Sequence, residues 1–97
     1  MTDTILPYRT VTIDRRGYGR RYTWLPVDQL SRQGFSIDFA GSYLRPDMLD
    51  LRLEDIVRWR EGERLLEGRI REIQREPQAI HAVLDDVHVL PADAFYS

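Results

Sequence analysis

Residues 14–21, with the sequence DRRGYGRR, form the densest group of side chains that could bind a ligand. Four arginines surround Tyr18, which has a glycine on each side. Guanidinium groups bind phosphates and carboxylates through a planar fork, and a tyrosine ring can stack on a base or anchor a protein interface. The segment therefore predicts a contact element whose binding residues are Arg15, Arg16, Tyr18, Arg20 and Arg21.

Three interpretations of this segment are open. It could bind nucleic acid, dock on an acidic or aromatic patch of a protein, or form a solvated hairpin tip whose arginines prevent edge-to-edge aggregation. The chain has a formal net charge of −2 and a pI near 5.6, whereas nucleic-acid-binding domains are usually basic. The overall charge therefore favours a protein partner over nucleic acid.

A second contact loop is predicted at residues 42–46, SYLRP. Gly41 and Pro46 bracket this stretch, and surface loops rich in turn residues often carry binding side chains. Tyr43 and Arg45 are its candidate contact residues.

Groups suited to catalysis are few. The chain has no cysteine, and its serines lie in no nucleophile-elbow sequence. The adjacent carboxylates of Glu54-Asp55 and Asp85-Asp86 would point to opposite faces of a strand, so neither pair could act as an acid–base couple. We therefore predict that the protein is not an enzyme and needs no cofactor.

The two histidines are the only candidates for a metal site. His81 and His88 flank Asp85 and Asp86, and in a hairpin turning at the aspartates they could share one face. Two histidines and a carboxylate could ligate zinc, but the chain offers no third nitrogen or sulfur ligand. Strand histidines beside a turn explain the same pattern, so no metal site is predicted.

Two strands are expected to carry the arginine segment. Residues 10–14, TVTID, alternate apolar and polar side chains as half-buried strands do, and an extended pattern resumes at residues 22–25. Residues 15–21 are then the loop of a β-hairpin, in which Gly17 and Gly19 supply the positive φ angles that tight turns require.

The flanking segments show mixed signals. Residues 28–34 could form a helical turn closed by a glycine, and residues 34–41, GFSIDFAG, alternate as a strand. Near the end, AIHAVL and VHVL are typical of strands, and Asp85-Asp86 between them predicts a short turn.

Residues 47–76 fit strands or a helix. Alternation through Leu49, Leu51 and Leu53 favours strands, with tight turns at residues 61–63 and 67–69. Leucines and isoleucines spaced three or four apart favour a helix, but a glycine within each predicted turn would cost about 1 kcal/mol there. Strands are the favoured interpretation, and a helix remains the alternative.

These patterns predict a mainly-β protein, a small antiparallel β-barrel with at most one short helix, forming a single domain over residues 1–97. The alternative is an α+β fold with a helix within residues 47–76. Apolar residues make up 42% of the chain and charged residues 31%, as in ordinary soluble domains. Five aromatic residues are assigned to the core: Tyr22, Trp24, Phe35, Phe39 and Trp59.

The run LDLRLEDIVRWREGERLLEGRIREIQREP, residues 49–77, resembles the carboxyl half of tailed-phage head–tail joining (neck) proteins. That family has a hairpin with the pattern G-x-R-hydrophobic-x-x-G-R-x-x-x-I, which residues 62–73 match. The upstream VTIDRRGYGRRYTW resembles the family's opening strand, glycine-containing loop and tryptophan-bearing strand, whereas residues 26–48 depart from its pattern. The resemblance implies a small β-barrel that assembles as a ring in the virion neck, without catalysis.

A second resemblance is carried by DIVRW, GRIREI, AIHAVLDD and VHVLPADAF, which in this order are similar to a Tudor-like barrel. Such domains bind peptides or nucleic acid through the barrel edge. Both resemblances imply short, strongly bent antiparallel strands.

The predicted function is a non-enzymatic structural or interaction role, as a phage or prophage neck component acting as a homo-oligomer. Its partners would be further copies and neck or host proteins, with no membrane. The N-terminus lacks the basic and apolar segments of a signal peptide, so the virion or the host cytoplasm is expected. The alternative is a binding module or regulator, such as a phage-encoded inhibitor, that holds a host protein or nucleic acid through the arginine-rich hairpin.

Overall fold

The computed structural model of the protein describes residues 9–40 and 46–91. These residues form one antiparallel sheet with the strand order β2-β1-β5-β6-β7-β4-β3. The strands are β1 (Arg9–Arg15), β2 (Gly19–Val27), β3 (Gln29–Ser31), β4 (Gly34–Asp38), β5 (Ile56–Glu61), β6 (Arg64–Glu76) and β7 (Ala79–Val89), and a single 3-10 turn covers Pro46–Met48. The predicted mainly-β fold is confirmed, and the helix within residues 47–76 is excluded because β5 and β6 fill most of that span.

The sheet is curled into a half-barrel because its two edge strands are consecutive in the chain. β2 and β3 stand at opposite ends of the strand order, yet only Asp28 separates them. There the Asp28 N–H donates to the Ser36 carbonyl over 2.8 Å, and the Asp28 carboxylate accepts from the Asp38 N–H over 2.6 Å. The two edges of the sheet therefore meet at Asp28.

The core fills the inner face of the curl. Along β1 the buried Val11 and Ile13 alternate with half-exposed threonines, which is the predicted pattern for a half-buried strand. The other strands add Val57, Leu66, Ile70, Ile80, Phe35 and Trp59, and the buried Phe39, Leu49 and Leu51 come from segments outside the strands. Burying one side chain of this size stabilises the fold by about 1.5–3 kcal/mol.

The predicted β1–β2 hairpin is present, but its loop covers residues 16–18 and not 15–21, because both strands extend further than expected. Its turn is closed by the Tyr18 N–H, which donates to the Arg15 carbonyl over 2.9 Å. Gly17 and Gly19 have φ angles of 84° and 83°, in the left-handed region where a Cβ is unfavourable. The glycines thus permit the tight turn that the sequence predicted.

The helical turn predicted at residues 28–34 is wrong, because this segment forms β3, a tight turn and the start of β4. Gly34 has a packing role instead of capping a helix. A Cβ at this position would lie 2.1 Å from the carbonyl oxygen of Ala82 on β7. A glycine is therefore needed for the close approach of β4 to β7.

Two expectations for residues 47–76 are also corrected. The segment before β5 is not a strand: Leu49 and Leu51 are buried, but Leu53 is 58% exposed in a turn. The turn at residues 61–63 is confirmed, with Gly62 at a φ of 65°. The turn at residues 67–69 is wrong, because Gly68 lies within β6, where a Cβ would meet the Val87 side chain at 2.8 Å.

The turn predicted at Asp85-Asp86 is a β-bulge inside the continuous strand β7. Asp86 has a φ of 57°, and the β6–β7 register shifts at this point. His81 and His88 therefore lie along one strand, roughly 20 Å apart at 3.3 Å per residue, rather than facing each other across a hairpin. The hairpin predicted for these residues is therefore wrong, and although both histidines lie on the outer face of β7, they are far apart.

Candidate functional site

The base of the arginine hairpin is a buried ion pair between Arg15 and Asp55. Arg15 ends β1 on the inner face and is only 9% exposed, and Asp55 is 1% exposed. The guanidinium binds the carboxylate with both prongs, Nε to Oδ1 and Nη2 to Oδ2, each over 3.0 Å. The expectation that Arg15 is a surface contact residue is therefore wrong, since its guanidinium is buried and paired with a carboxylate of the same molecule.

Asp50 extends this pair into a network that we call the Arg15 cluster, consisting of Arg15, Asp50 and Asp55. Arg15 Nη1 and Arg21 Nη2 each donate to Asp50 Oδ2 over 2.9 Å, and the Asp50 N–H donates to the Tyr22 hydroxyl over 2.8 Å. The hydrogen bond from Arg15 is the main reason that the pKa of Asp50 is lowered to about 2. The pKa of Arg15 is raised by Asp55 first and by Asp50 second.

The segment that supplies the two carboxylates is fixed to β6. Arg75 donates to the carbonyls of Pro46, Leu49 and Leu51 over 2.8–3.2 Å. Asp55 also pairs through its backbone, because its carbonyl accepts from the Ile70 N–H over 3.0 Å. The Arg15 cluster therefore ties the hairpin to a part of the molecule that is itself held firmly.

The tip of the hairpin, beyond this anchor, is exposed. Tyr18 is 79% exposed, and the neighbouring Arg16 is exposed as well. Within residues 9–40 and 46–91, Arg16 makes no ion pair. We call Arg16 and Tyr18 the hairpin tip, because they combine an uncompensated cation with a large ring in solvent.

The other two predicted arginines are compensated. Arg20 pairs with Asp14, and Arg21 pairs with Asp50. Asp14 is shared with Arg58 of β5, whose Nη1 donates to it over 3.0 Å. Arg20 and Arg21 are solvent-accessible, but a carboxylate already balances each of their charges. The remaining predicted site residues, Tyr43 and Arg45, lie outside the described residues.

Trp24 is a surface feature that the sequence analysis missed. It was expected in the core, but it is 74% exposed and has a φ of 54°. The β1–β2 register shifts between Val11 and Ile13, so that two residues of β2, Thr23 and Trp24, oppose one residue of β1. This bulge turns the ring outward, and a bulky residue with positive φ costs on the order of 1–3 kcal/mol.

A cleft of about 840 Å³ opens where the pairing of β1 with β5 ends. The two strands pair only over residues 12–14 and 56–58, while β1 continues back to Arg9 and β5 continues to Glu61. Both strands line the cleft beyond that point, and Trp24 stands on its wall. The sequence analysis did not predict this cleft.

An ion pair lies beside the cleft. Arg32, in the β3–β4 turn, donates to both carboxylate oxygens of Glu61 at the end of β5, over 2.7 and 3.3 Å. The hydrogen bond from Arg32 lowers the pKa of Glu61, and the same bond raises the pKa of Arg32. The pair links the β3–β4 turn to the far end of β5.

The described residues contain no group of three or more histidines, aspartates or glutamates placed to hold a metal ion. Within the same residues, no helix has the length and hydrophobicity to cross a bilayer. In comparisons with known proteins, the chain matches no family model, no curated protein and no solved structure. The interpretation of the site therefore depends on its own geometry.

Proposed function

We propose that the protein is a non-enzymatic interaction domain that binds a protein partner through the hairpin tip. The observation that carries the proposal is the 79% exposure of Tyr18 on a hairpin whose base is anchored by the buried Arg15–Asp55 pair. Tyrosine and arginine are enriched among the residues that dominate interface energies. A rigid base also reduces the entropy lost when the tip is immobilised on a partner.

Charge compensation favours protein over nucleic acid as the partner. Of the four arginines in residues 14–21, three are paired with carboxylates of the same molecule, whereas Arg16 has no ion-pair partner among the described residues. Binding to nucleic acid depends on several uncompensated cations that displace counterions from phosphates. One arginine beside one tyrosine suits a carboxylate and an apolar surface on a protein better.

The role that we propose is structural, in the neck of a tailed phage, with the domain acting as a homo-oligomer in the virion. The sequence likeness of residues 49–77 to neck proteins and the curled sheet of short antiparallel strands support it. The second candidate is a binding module or regulator, such as a phage-encoded inhibitor. The exposed tip on an anchored hairpin favours that candidate equally, because it suits any partner protein.

The test is sedimentation equilibrium of the wild-type protein from micromolar to millimolar concentration. A homo-oligomer that uses the hairpin tip should show a mass that rises with concentration in the wild type. The mass should stay at one subunit in the double variant Arg16→Ala/Tyr18→Ser. Met48→Ser is the matched control, because it removes another exposed apolar side chain that is not part of the hairpin tip and should leave association unchanged.

A DNA titration across a salt series separates the alternatives. We expect no binding at 150 mM salt, a concentration at which a few phosphate contacts are already weak. A wild-type protein that stays at one subunit and binds DNA, with affinity falling steeply as salt rises, would overturn the proposal in favour of a nucleic-acid module. A single-subunit mass without DNA binding would leave the regulator as the function and remove the neck role.

A further inference from the structure

The cleft between β1 and β5 offers strand backbone to a ligand. The β1–β5 register ends at Thr12 and Arg58, but residues 9–11 remain in strand conformation and pair with β2 on their other side. Successive residues of a strand direct their N–H and C=O groups to alternate sides. Some backbone groups of residues 9–11 therefore face the cleft, where β5 does not pair with them.

The walls of the cleft combine apolar side chains with an available cation. Leu30, Leu65 and Leu90 contribute apolar surface. Among the arginines that line the cleft, Arg20 and Arg58 are paired with Asp14, whereas Arg9 makes no ion pair within residues 9–40 and 46–91. A ligand that carries both apolar and acidic side chains would complement these walls. The volume of about 840 Å³ lies within the range of about 300–1,000 Å³ that is usual for ligand pockets.

The conformation and exposure of Trp24 independently indicate that the cleft binds a ligand. The β2 bulge holds this ring in a left-handed backbone conformation and 74% exposed, on the wall of the cleft. Bulges re-aim side chains next to binding sites, and strained residues are concentrated at ligand clamps. Nothing within the described residues covers the ring, so a ligand in the cleft would be its packing partner.

We propose that the cleft binds an extended acidic segment of a protein partner, which pairs with β1 residues 9–11 and packs against Trp24. The main-chain hydrogen bonds to β1 would supply affinity, and Arg9 would select an acidic side chain. This site is separate from the hairpin tip, because neither Arg16 nor Tyr18 lines the cleft. Loss of one activity would therefore leave the other intact.

The test uses a pool of capped octapeptides with glutamate at every second position and a mixture of apolar residues between. Binding is followed by fluorescence anisotropy and by amide chemical shifts of the ¹⁵N-labelled protein. We expect the glutamate pool to bind at least ten-fold more tightly than the same pool with lysine in place of glutamate. A glutamate pool with N-methylated backbone should lose binding, since it cannot form strand hydrogen bonds.

The shifts should fall on residues 9–11 and 59–61 and on the Trp24 indole. In Arg9→Ala and in Trp24→Asn the affinity should fall several-fold, whereas Arg71→Ala, which removes an exposed arginine outside the cleft, should leave it unchanged. A dispersed amide spectrum of each variant shows that the fold is retained. Equal affinity for both pools, shifts confined to other surfaces, or no binding at millimolar peptide would each overturn the proposal.

The hairpin-tip variant distinguishes binding at the cleft from binding through the hairpin tip. Arg16→Ala/Tyr18→Ser should bind the glutamate pool as tightly as the wild type, whatever its effect on self-association. Loss of peptide binding in this variant would overturn a separate cleft site. Shifts of residues 9–11 that appear on concentrating the protein without peptide would also overturn it, because a second copy would then be the occupant.

Discussion

Arg15 and Arg16 are adjacent in the chain, yet Arg15 is buried in an ion cluster and Arg16 is exposed to solvent. β1 alternates its side chains, so Arg15 follows Val11 and Ile13 onto the inner face. Arg16 begins the turn and leaves that alternation. A run of arginines therefore need not form one patch, since the position of each residue relative to the end of the strand determines its environment.

The two regions also differ in what they contribute. The base, formed by the Arg15 cluster, fixes the hairpin through the buried Arg15–Asp55 ion pair. The tip, formed by Arg16 and Tyr18, has little packing and is available to a partner. Substitutions at the base should therefore change stability strongly, and substitutions at the tip should leave stability nearly unchanged.

The largest effect is expected for Asp55→Ala. This change leaves the buried Arg15 guanidinium without its bidentate partner, and breaking a buried pair in this way costs about 3–5 kcal/mol. Urea unfolding followed by circular dichroism measures the loss. Asp85→Ala is the matched control, because Asp85 is exposed, and its free energy of unfolding should stay within about 0.5 kcal/mol of the wild type. A similar small loss for Asp55→Ala would mean that the base does not anchor the hairpin.

A weaker test of the base is acid titration of Asp50. Its pKa in the folded protein is about 2, against an ordinary value of 3.8, chiefly because Arg15 donates to its carboxylate. A lowered pKa means that the unfolded chain binds more protons, so the stabilisation is complete above about pH 4 and is lost as the pH falls through 2. Melting temperatures between pH 6 and pH 2 should therefore fall more steeply in the wild type than in Asp50→Asn. Parallel curves for the two proteins would exclude this contribution.

Much of the fold could be predicted because its signals are local. Alternation of apolar residues identified β1, and paired glycines identified the hairpin turn, since both depend on residues close in the chain. The same argument separated strands from a helix in residues 56–76, where Gly62 ends one strand.

The remainder depends on long-range partners that local patterns do not contain. Arg15 is buried because Asp55 lies opposite it, 40 residues further along the chain, and no local sequence pattern predicts this pair. Trp24 fits the alternation that predicts a core residue, but the β2 bulge turns its side chain to the outer face of the sheet. Asp85 and Asp86 have the composition of a turn, but Asp85 pairs with Arg69 of β6 and Asp86 lies in a β-bulge within β7. The hairpin was therefore predictable, whereas the division of its arginines between base and tip was not.

Gly17 lies in the turn between the two residues of the hairpin tip, and its replacement should have an intermediate effect. An added Cβ at Gly17 meets no atom within 4 Å, so only the backbone φ of 84° opposes it. A left-handed conformation costs about 1–2 kcal/mol for an ordinary L-residue, and Gly17→Ala should lose that amount in urea unfolding. Gly17→Asn should lose less, because asparagine tolerates this region. Equal losses for both variants would indicate that the turn has rearranged.

The smallest effect, and the one of opposite sign, is expected for Trp24→Asn. The ring is mostly exposed, so its removal gives up little buried area, while asparagine relaxes the strain of a φ of 54°. The free energy of unfolding should stay the same or rise by up to about 1 kcal/mol. Tyr18→Asn is the matched control, because Tyr18 is equally exposed but has no positive φ to relieve. Destabilisation of Trp24→Asn by more than 1 kcal/mol would mean that the indole packs into the cleft and stabilises the fold, as the Arg15 cluster does. A gain without loss of fold would identify Trp24 as a residue kept for binding at the expense of stability.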